Sequence, residues 1–376
     1  MKNRILYLCL ITIAAFLISS GCEKEINENI LSERRETTPP SEETGSQSES
    51  NTSVTGLGTK LYESPGGGRK YAVSFNLGSK IYLGFGFNHS GPIYDFWECD
   101  FEKVYTDWDL TTKNLWTKLP DFPGKISKSG ATEGTPIGFA VNGKGYILPG
   151  AFWETGKLIN EFWEFDPETN SWTQKADPPV ALARCFATGF SIGTKLYVGT
   201  GETYFENEWK LYNDFWEWDQ LTDKWTKKTD FPGESRAHAT GFSIGDKGYI
   251  GLGGVIGMGG GPVYQDFWEY DLKTDKWARR ADFRGSQQIG AIAFSIGNKG
   301  YVMAGWDPMS EFTTSQDIWE WNQITDSWTK TGDFAGFPRT ASVGGKIGNW
   351  GYLLTGQTLS SGSTLSDHWL FDFTPN

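Results

Sequence analysis

The chain has 376 residues, 15% of them aromatic, with 47 glycines and a formal net charge of -12. No basic stripe interrupts that acidity, which excludes a nucleic-acid backbone as partner and leaves solubility as its plain role. Many short strands joined by tight turns suit such a composition, and beyond the first segment nothing suggests a long helix.

Met1-Lys2-Asn3-Arg4 is basic, and Ile5 to Ile18 is apolar apart from Cys9 and Thr12. That run is too short for an ordinary membrane helix and reads as a secretory signal. Its end, Leu17-Ile18-Ser19-Ser20-Gly21-Cys22, resembles the lipobox of bacterial lipoproteins, although Ser19 stands where leucine is commoner. The resemblance implies a signal peptide over residues 1–21 and a lipid on Cys22, which would be the only contact with a membrane. It also implies a place in the bacterial envelope, as an outer-membrane lipoprotein facing the periplasm or the cell surface. An ordinary cleaved signal with a chance cysteine is the other reading. Residues 22–54 are rich in Glu, Ser, Thr and Pro; they bury too little to offset ordering entropy and form a flexible acidic linker.

From residue 55 to 376 the chain repeats itself. The motif Asp266-Phe267-Trp268-Glu269-Tyr270-Asp271 has counterparts at Trp97, Trp163, Trp216, Trp319 and Trp369, spaced 50 to 66 residues apart. In four copies a second tryptophan follows nine residues later, at Trp172, Trp225, Trp277 and Trp328. A period near fifty marks a unit stacked on copies of itself. Successive strand residues point to opposite faces, so Phe267 and Trp268 load both faces with aromatic surface. Such a strand belongs in a sheet covered on both sides. In the fourth unit the spacing predicts strands over Ala239 to Gly245, Gly248 to Gly253, Asp266 to Asp271 and from Trp277. The second strand of each unit carries a tyrosine, with a glycine four residues on: Tyr82/Gly86, Tyr146/Gly150, Tyr197/Gly201, Tyr249/Gly253, Tyr301/Gly305 and Tyr352/Gly356. A glycine there is expected where backbones approach closely.

These marks resemble the kelch family of β-propellers: a Gly-rich second strand, an acidic-aromatic third strand and a Trp opening the fourth. The first unit departs from the pattern, with extra residues around Val104 to Trp108. The resemblance implies an all-β, six-bladed propeller with four antiparallel strands per blade. The sixth unit stops after its third strand, and Thr59-Lys60-Leu61-Tyr62-Glu63 aligns with the fourth-strand segment beginning at Thr226. An N-terminal strand is therefore expected to complete the last blade and close the ring. Cys99 and Cys185 fall on strand-like segments of different units, which disfavours a disulfide.

The second-to-third connections are long and unalike, and they share one rim, the candidate binding face. Two rings are expected there. One holds Arg69, Gly134, Arg184, Arg236, Gln288 and Arg339; four arginines could grip a carboxylate or phosphate. The alternative is that each arginine bonds neighbouring carbonyls or a carboxylate and only ties blades together. The other ring holds Phe87, Ala151, Glu202, Gly254, Trp306 and Gln357, resembling a sugar-binding mouth, with Trp153, Tyr204 and Trp209 on nearby loops. Packing between loops is the competing reading of these aromatics. The repeated Glu98, Glu164, Glu217, Glu269 and Glu320 are architecture, expected to pair with Lys118, Lys227, Arg279 and Lys330 on the facing strand. Asp95, Glu161, Asp214, Asp266, Asp317 and Asp367 are expected to fix loop ends. With only His89, His238 and His368, no histidine cluster suggests a metal, and Asp107-Trp108-Asp109 lacks the rest of a calcium loop.

No cofactor is implied. The expected function is an envelope-anchored binding module whose long-loop face takes a glycan, a peptide or a protein. Catalysis is the lesser expectation. It would be sugar mutarotation, as in N-acetylneuraminate epimerase, another six-bladed kelch protein, with the arginines holding the sugar acid and Glu202 as base. A structural scaffold without a small ligand is the third option.

Overall fold

Alternation decides how each repeat buries itself. In the third strand of blade 4, Phe267–Asp271, the Phe267 ring packs on Trp321 and Trp328 of the next blade, at 5.0 and 5.2 Å between ring centroids. Tyr270 turns the other way, 5.0 Å from Phe215 of the preceding blade. One strand thus cements two neighbours, and aromatic pairs at these distances add to area burial. The computed structural model describes residues 57–102, 115–125, 135–148, 150, 152–154, 157–179, 182–205, 208–255, 261–310 and 313–374. The leader, the linker and Asp107 to Asp109 lie outside them.

Six four-stranded antiparallel sheets make up the fold. Their first strands touch in sequence round the axis, and the first strand of blade 1 (Val73–Leu77) meets that of blade 6 (Val343–Ile347), which closes the ring. Closure is made by the N-terminal strand. Thr59–Glu63 pairs with Asp367–Asp372, setting Thr59 opposite Leu370 and Lys60 opposite Trp369. This is the register of Thr226 opposite Glu217 in blade 3. Cys99 and Cys185 are both buried, and no disulfide joins them.

Two expectations are corrected. The glutamates do not pair with the fourth-strand cations named for them; among the described residues only Glu269 meets a cation of that strand, and it is Arg280, the neighbour of Arg279. The ladder sets Lys118, Lys227, Arg279 and Lys330 opposite tryptophans, so period-two alternation sends them to the other face from the glutamates. They bind aspartates three residues on: Asp121, Asp230, Asp282 and Asp333. Each glutamate is held instead by its second strand. Tyr82, Tyr146, Tyr197, Tyr249 and Tyr301 donate to it at 2.6–3.0 Å, and Lys80, Lys144, Lys195, Lys247 and Lys299 neutralise it.

The glycines sit just past the second strand rather than within it. Gly253 has φ 78°, and a Cβ there would lie 2.5 Å from the Ala237 carbonyl oxygen. Both the left-handed backbone and the close approach demand glycine.

Candidate binding site

The arginines come first. Arg69, Arg184, Arg236 and Arg339 are fully buried, and each is paired with the aspartate that opens its blade's third strand: Asp95, Asp214, Asp266 and Asp367. Each also donates to the carbonyl three residues after the second-strand tyrosine: Phe85, Thr200, Leu252 and Thr355 respectively, at 2.8–3.2 Å. The aspartate is shared. In blades 3, 4 and 6 it also accepts from the indole N–H of Trp216, Trp268 or Trp369 at 2.7 Å. Meanwhile the Arg236 carbonyl accepts from Gly201 of blade 3, and that of Arg339 from Gly305 of blade 5. Side chain in one blade and backbone against the previous one make these residues fasteners. The expected grip on a ligand anion is therefore corrected: the guanidinium charge is already spent on a buried carboxylate. In blade 5, where Gln288 replaces arginine, Asp317 pairs with Lys330 instead.

Two residues beyond this ring lies the one that lines the axis. Tyr71, Pro136, Phe186, His238, Gly290 and Ala341 all face a cavity of about 320 Å³. Five of them have positive φ, between 52° and 61°; four are not glycine, so the site holds strained backbone. The reason is a belt of bonds between blades. The N–H of Tyr71 donates to Ala341, that of His238 to Phe186, and that of Gly290 to His238, while Phe186 donates to the Thr135 hydroxyl. Turning each residue toward its neighbour forces its side chain into the channel. The His238 ring stacks on Phe186 with centroids 3.6 Å apart, and Tyr71 meets Phe186 edge-on at 5.8 Å. Burial without a nearby carboxylate pulls the His238 imidazole down to about 3, so it is neutral at pH 7; burial pushes the Tyr71 phenol up.

Of the second ring, Trp306 and Gln357 line this cavity, with Leu359 beside them. Phe87 is packed in the blade 1 core instead, and Gly254 is bridged to Ala237 and Val263. Ala151 and Gly134 lie outside the described residues. Glu202 does not line the cavity; it is 4% exposed, its Oε2 has no hydrogen-bond partner among the described residues, and burial pushes its carboxyl up to about 7. Gln288 is buried and bonds Ser286. Trp153 lies on the strand Phe152–Glu154, while Tyr204 and Trp209 face each other across a hairpin of Glu202–Phe205 and Glu208–Leu211. These hairpins belong to the long-loop rim, the rim on which Trp306 and Gln357 also stand. Among the described residues no cluster of three or more His, Cys, Asp or Glu is placed to hold a metal.

Sequence reasoning named Trp306 and Gln357 of this cavity but missed the lining ring. Its signal was available: a position two residues past the arginines that is Tyr, Pro, Phe, His, Gly and Ala in turn, and so varies where the scaffold repeats.

A closed six-bladed propeller with an axial cavity on its loop rim is what the fold and site define. The KLHDC2/KLHL20/DRC7 Kelch-repeats domain model matches residues 137–346, more than half of the chain, and the protein belongs to the kelch-repeat family. Three curated relatives are N-acetylneuraminate epimerases. That of Pasteurella multocida (strain Pm70) is 31% identical over 121 residues, covering 31% of this chain and 29% of the relative. Those of Yersinia enterocolitica and Vibrio cholerae are 28% and 29% identical, covering 34% and 31% of this chain and 32% and 30% of theirs. Each match spans about a third of the relative's length. The solved structure of YjhT shares the fold, with a TM-score of 0.67 at 19% identity over 84% of this chain and 98% of that one.

Proposed function

We propose that the axial cavity binds a small cyclic ligand, a monosaccharide or the end of a glycan. The observation that carries this reading is the wall itself: the rings of Tyr71, Phe186, His238 and Trp306 around about 320 Å³, interspersed with Thr135, Thr188, Thr340 and Gln357. Flat aromatic faces suit the C–H face of a sugar ring, and scattered hydroxyl and amide groups suit its hydroxyls. The names of the curated relatives point to the same ligand class. Calorimetry or saturation-transfer NMR with a panel of monosaccharides tests it. Binding is expected, and Trp306→Ala should weaken it by roughly tenfold or more. Absence of binding, or binding indifferent to Trp306, would refute the proposal.

A second reading, interconversion of sugar anomers, is suggested by the names of the curated relatives, but Glu202, the base it would use, stands outside the cavity wall. Anomer exchange followed by NMR tests it, and no acceleration over the spontaneous rate would refute it. We also propose that Cys22 carries a lipid and holds the propeller at the envelope, so Cys22→Ala should release the protein from membrane fractions. Unchanged membrane attachment would contradict the anchor.

A further inference from the structure

We infer, resting on the sugar reading, that this cavity selects uncharged sugars and rejects acidic ones. No lysine, arginine, aspartate or glutamate is among the described residues that line it. The nearby arginines do not line the cavity, and moving one would strand the largely buried aspartate it pairs with. Lys70, next to Tyr71, holds its ammonium 5.7 Å above the Tyr71 ring in a cation–π contact. Lys346 lies further along the blade 6 strand that supplies Val343 and Gly344, and it does not line the cavity.

Backbone donors do not fill the gap. An anion can be held by N–H groups alone where several converge, but here those of Tyr71, Phe186, His238 and Gly290 are consumed between blades. What the belt leaves unused at this ring is acceptor capacity, because a carbonyl that takes one hydrogen bond keeps a second lone pair. The carbonyls of Phe186, His238 and Ala341 are of this kind. Acceptors welcome a sugar hydroxyl, which donates, and repel a carboxylate, which cannot. A desolvated carboxylate without a cation is heavily penalised, and the donors of Thr135, Thr188, Thr340 and Gln357 are uncharged. The wall therefore differs in its chemistry from what an acidic sugar needs, whatever the names of the relatives.

The experiment compares matched pairs that differ in charge and little else: N-acetylneuraminate against its methyl ester, and glucuronate against glucose. Each is titrated into the full protein by calorimetry at low and at physiological salt. At least one neutral member should bind roughly tenfold to a hundredfold tighter than its acid. Its affinity should not change with salt, as no charge pair is screened. Acids binding as tightly as their neutral partners, or losing affinity as salt rises, would overturn charge selection and leave the sugar reading intact. If no member of either pair binds, the sugar reading falls and this inference falls with it. Should an acid bind and Lys70→Ala abolish that binding, the cation missing from the wall is Lys70, and the inference is wrong.

Discussion

Replacing His368 by phenylalanine is expected to stabilise the propeller and to blunt its response to acid. His368 occupies the place in blade 6 that phenylalanine holds at Phe96, Phe215 and Phe267. Each of those rings packs on a fourth-strand tryptophan of the next blade, with centroids 4.9–5.2 Å apart. His368 keeps the contact with Trp116 at 5.9 Å, but it is fully buried and neither ring nitrogen has a hydrogen-bond partner among the described residues. Orphaned buried polar groups cost about 1–3 kcal/mol, which a phenylalanine of similar shape would recover. Burial also pulls the imidazole down to about 3 from its ordinary value of 6.5. With the folded value below the unfolded one, the unfolded chain takes up the proton first. Stability is full above about pH 6.5 and is lost as pH falls toward about 3. By linkage the loss at about pH 5 is on the order of 2 kcal/mol for this one group. Urea denaturation of parent and variant at about pH 7.5 and about pH 5 reads both effects, above the range where most carboxylates titrate. The variant should gain at both values and gain more at the lower one. A variant less stable than the parent, or one with an unchanged pH difference, would refute the reasoning.

Removing residues 55–64 should lower the melting temperature by several degrees, because Thr59–Glu63 is the outer strand of blade 6 and the Leu57 backbone bonds Asp333 and Ala335. Removing residues 23–53 should leave it unchanged, and equal melting of the two truncations would contradict closure. Arg236→Ala should cost about 3–5 kcal/mol by stranding Asp266, with partial recovery in the Arg236→Ala, Asp266→Ala double variant. Melting within a degree of the parent would show that the arginine is not a fastener. Gly253→Ala should destabilise by more than the roughly 1 kcal/mol of a positive φ alone, since its Cβ collides with Ala237. Gly245→Ala, at φ 58° with open space around its Cβ, is the control, and equal effects in thermal melts would exclude the collision.

What the sequence determined by itself is whatever repeats at fixed spacing. Six units, their strand order, the tyrosine and glycine of each second strand and the closing N-terminal strand follow from local pattern, since one unit's register is confirmed by five others. Tertiary structure decided where side chains of known position point. Whether Arg236 faces a ligand or Asp266 depends on a contact between residues thirty positions apart, and no periodicity encodes that. It also decided the exceptions. In four neighbouring pairs a first-strand phenylalanine covers a second-strand glycine of the next blade: Phe75 on Gly145, Phe190 on Gly248, Phe242 on Gly300 and Phe294 on Gly351. At the closing seam Gly345 stands in the phenylalanine position and Ile81 in the glycine position, and Ile81 is fully buried. The space beside Gly345 is taken by Tyr352 of its own blade, whose hydroxyl oxygen lies 2.9 Å from where a Cβ would sit. The binding wall is the clearest case. Tyr71, Phe186, His238 and Ala341 stand at the axis at positive φ, tied by hydrogen bonds to the neighbouring blade, contacts that no single repeat contains.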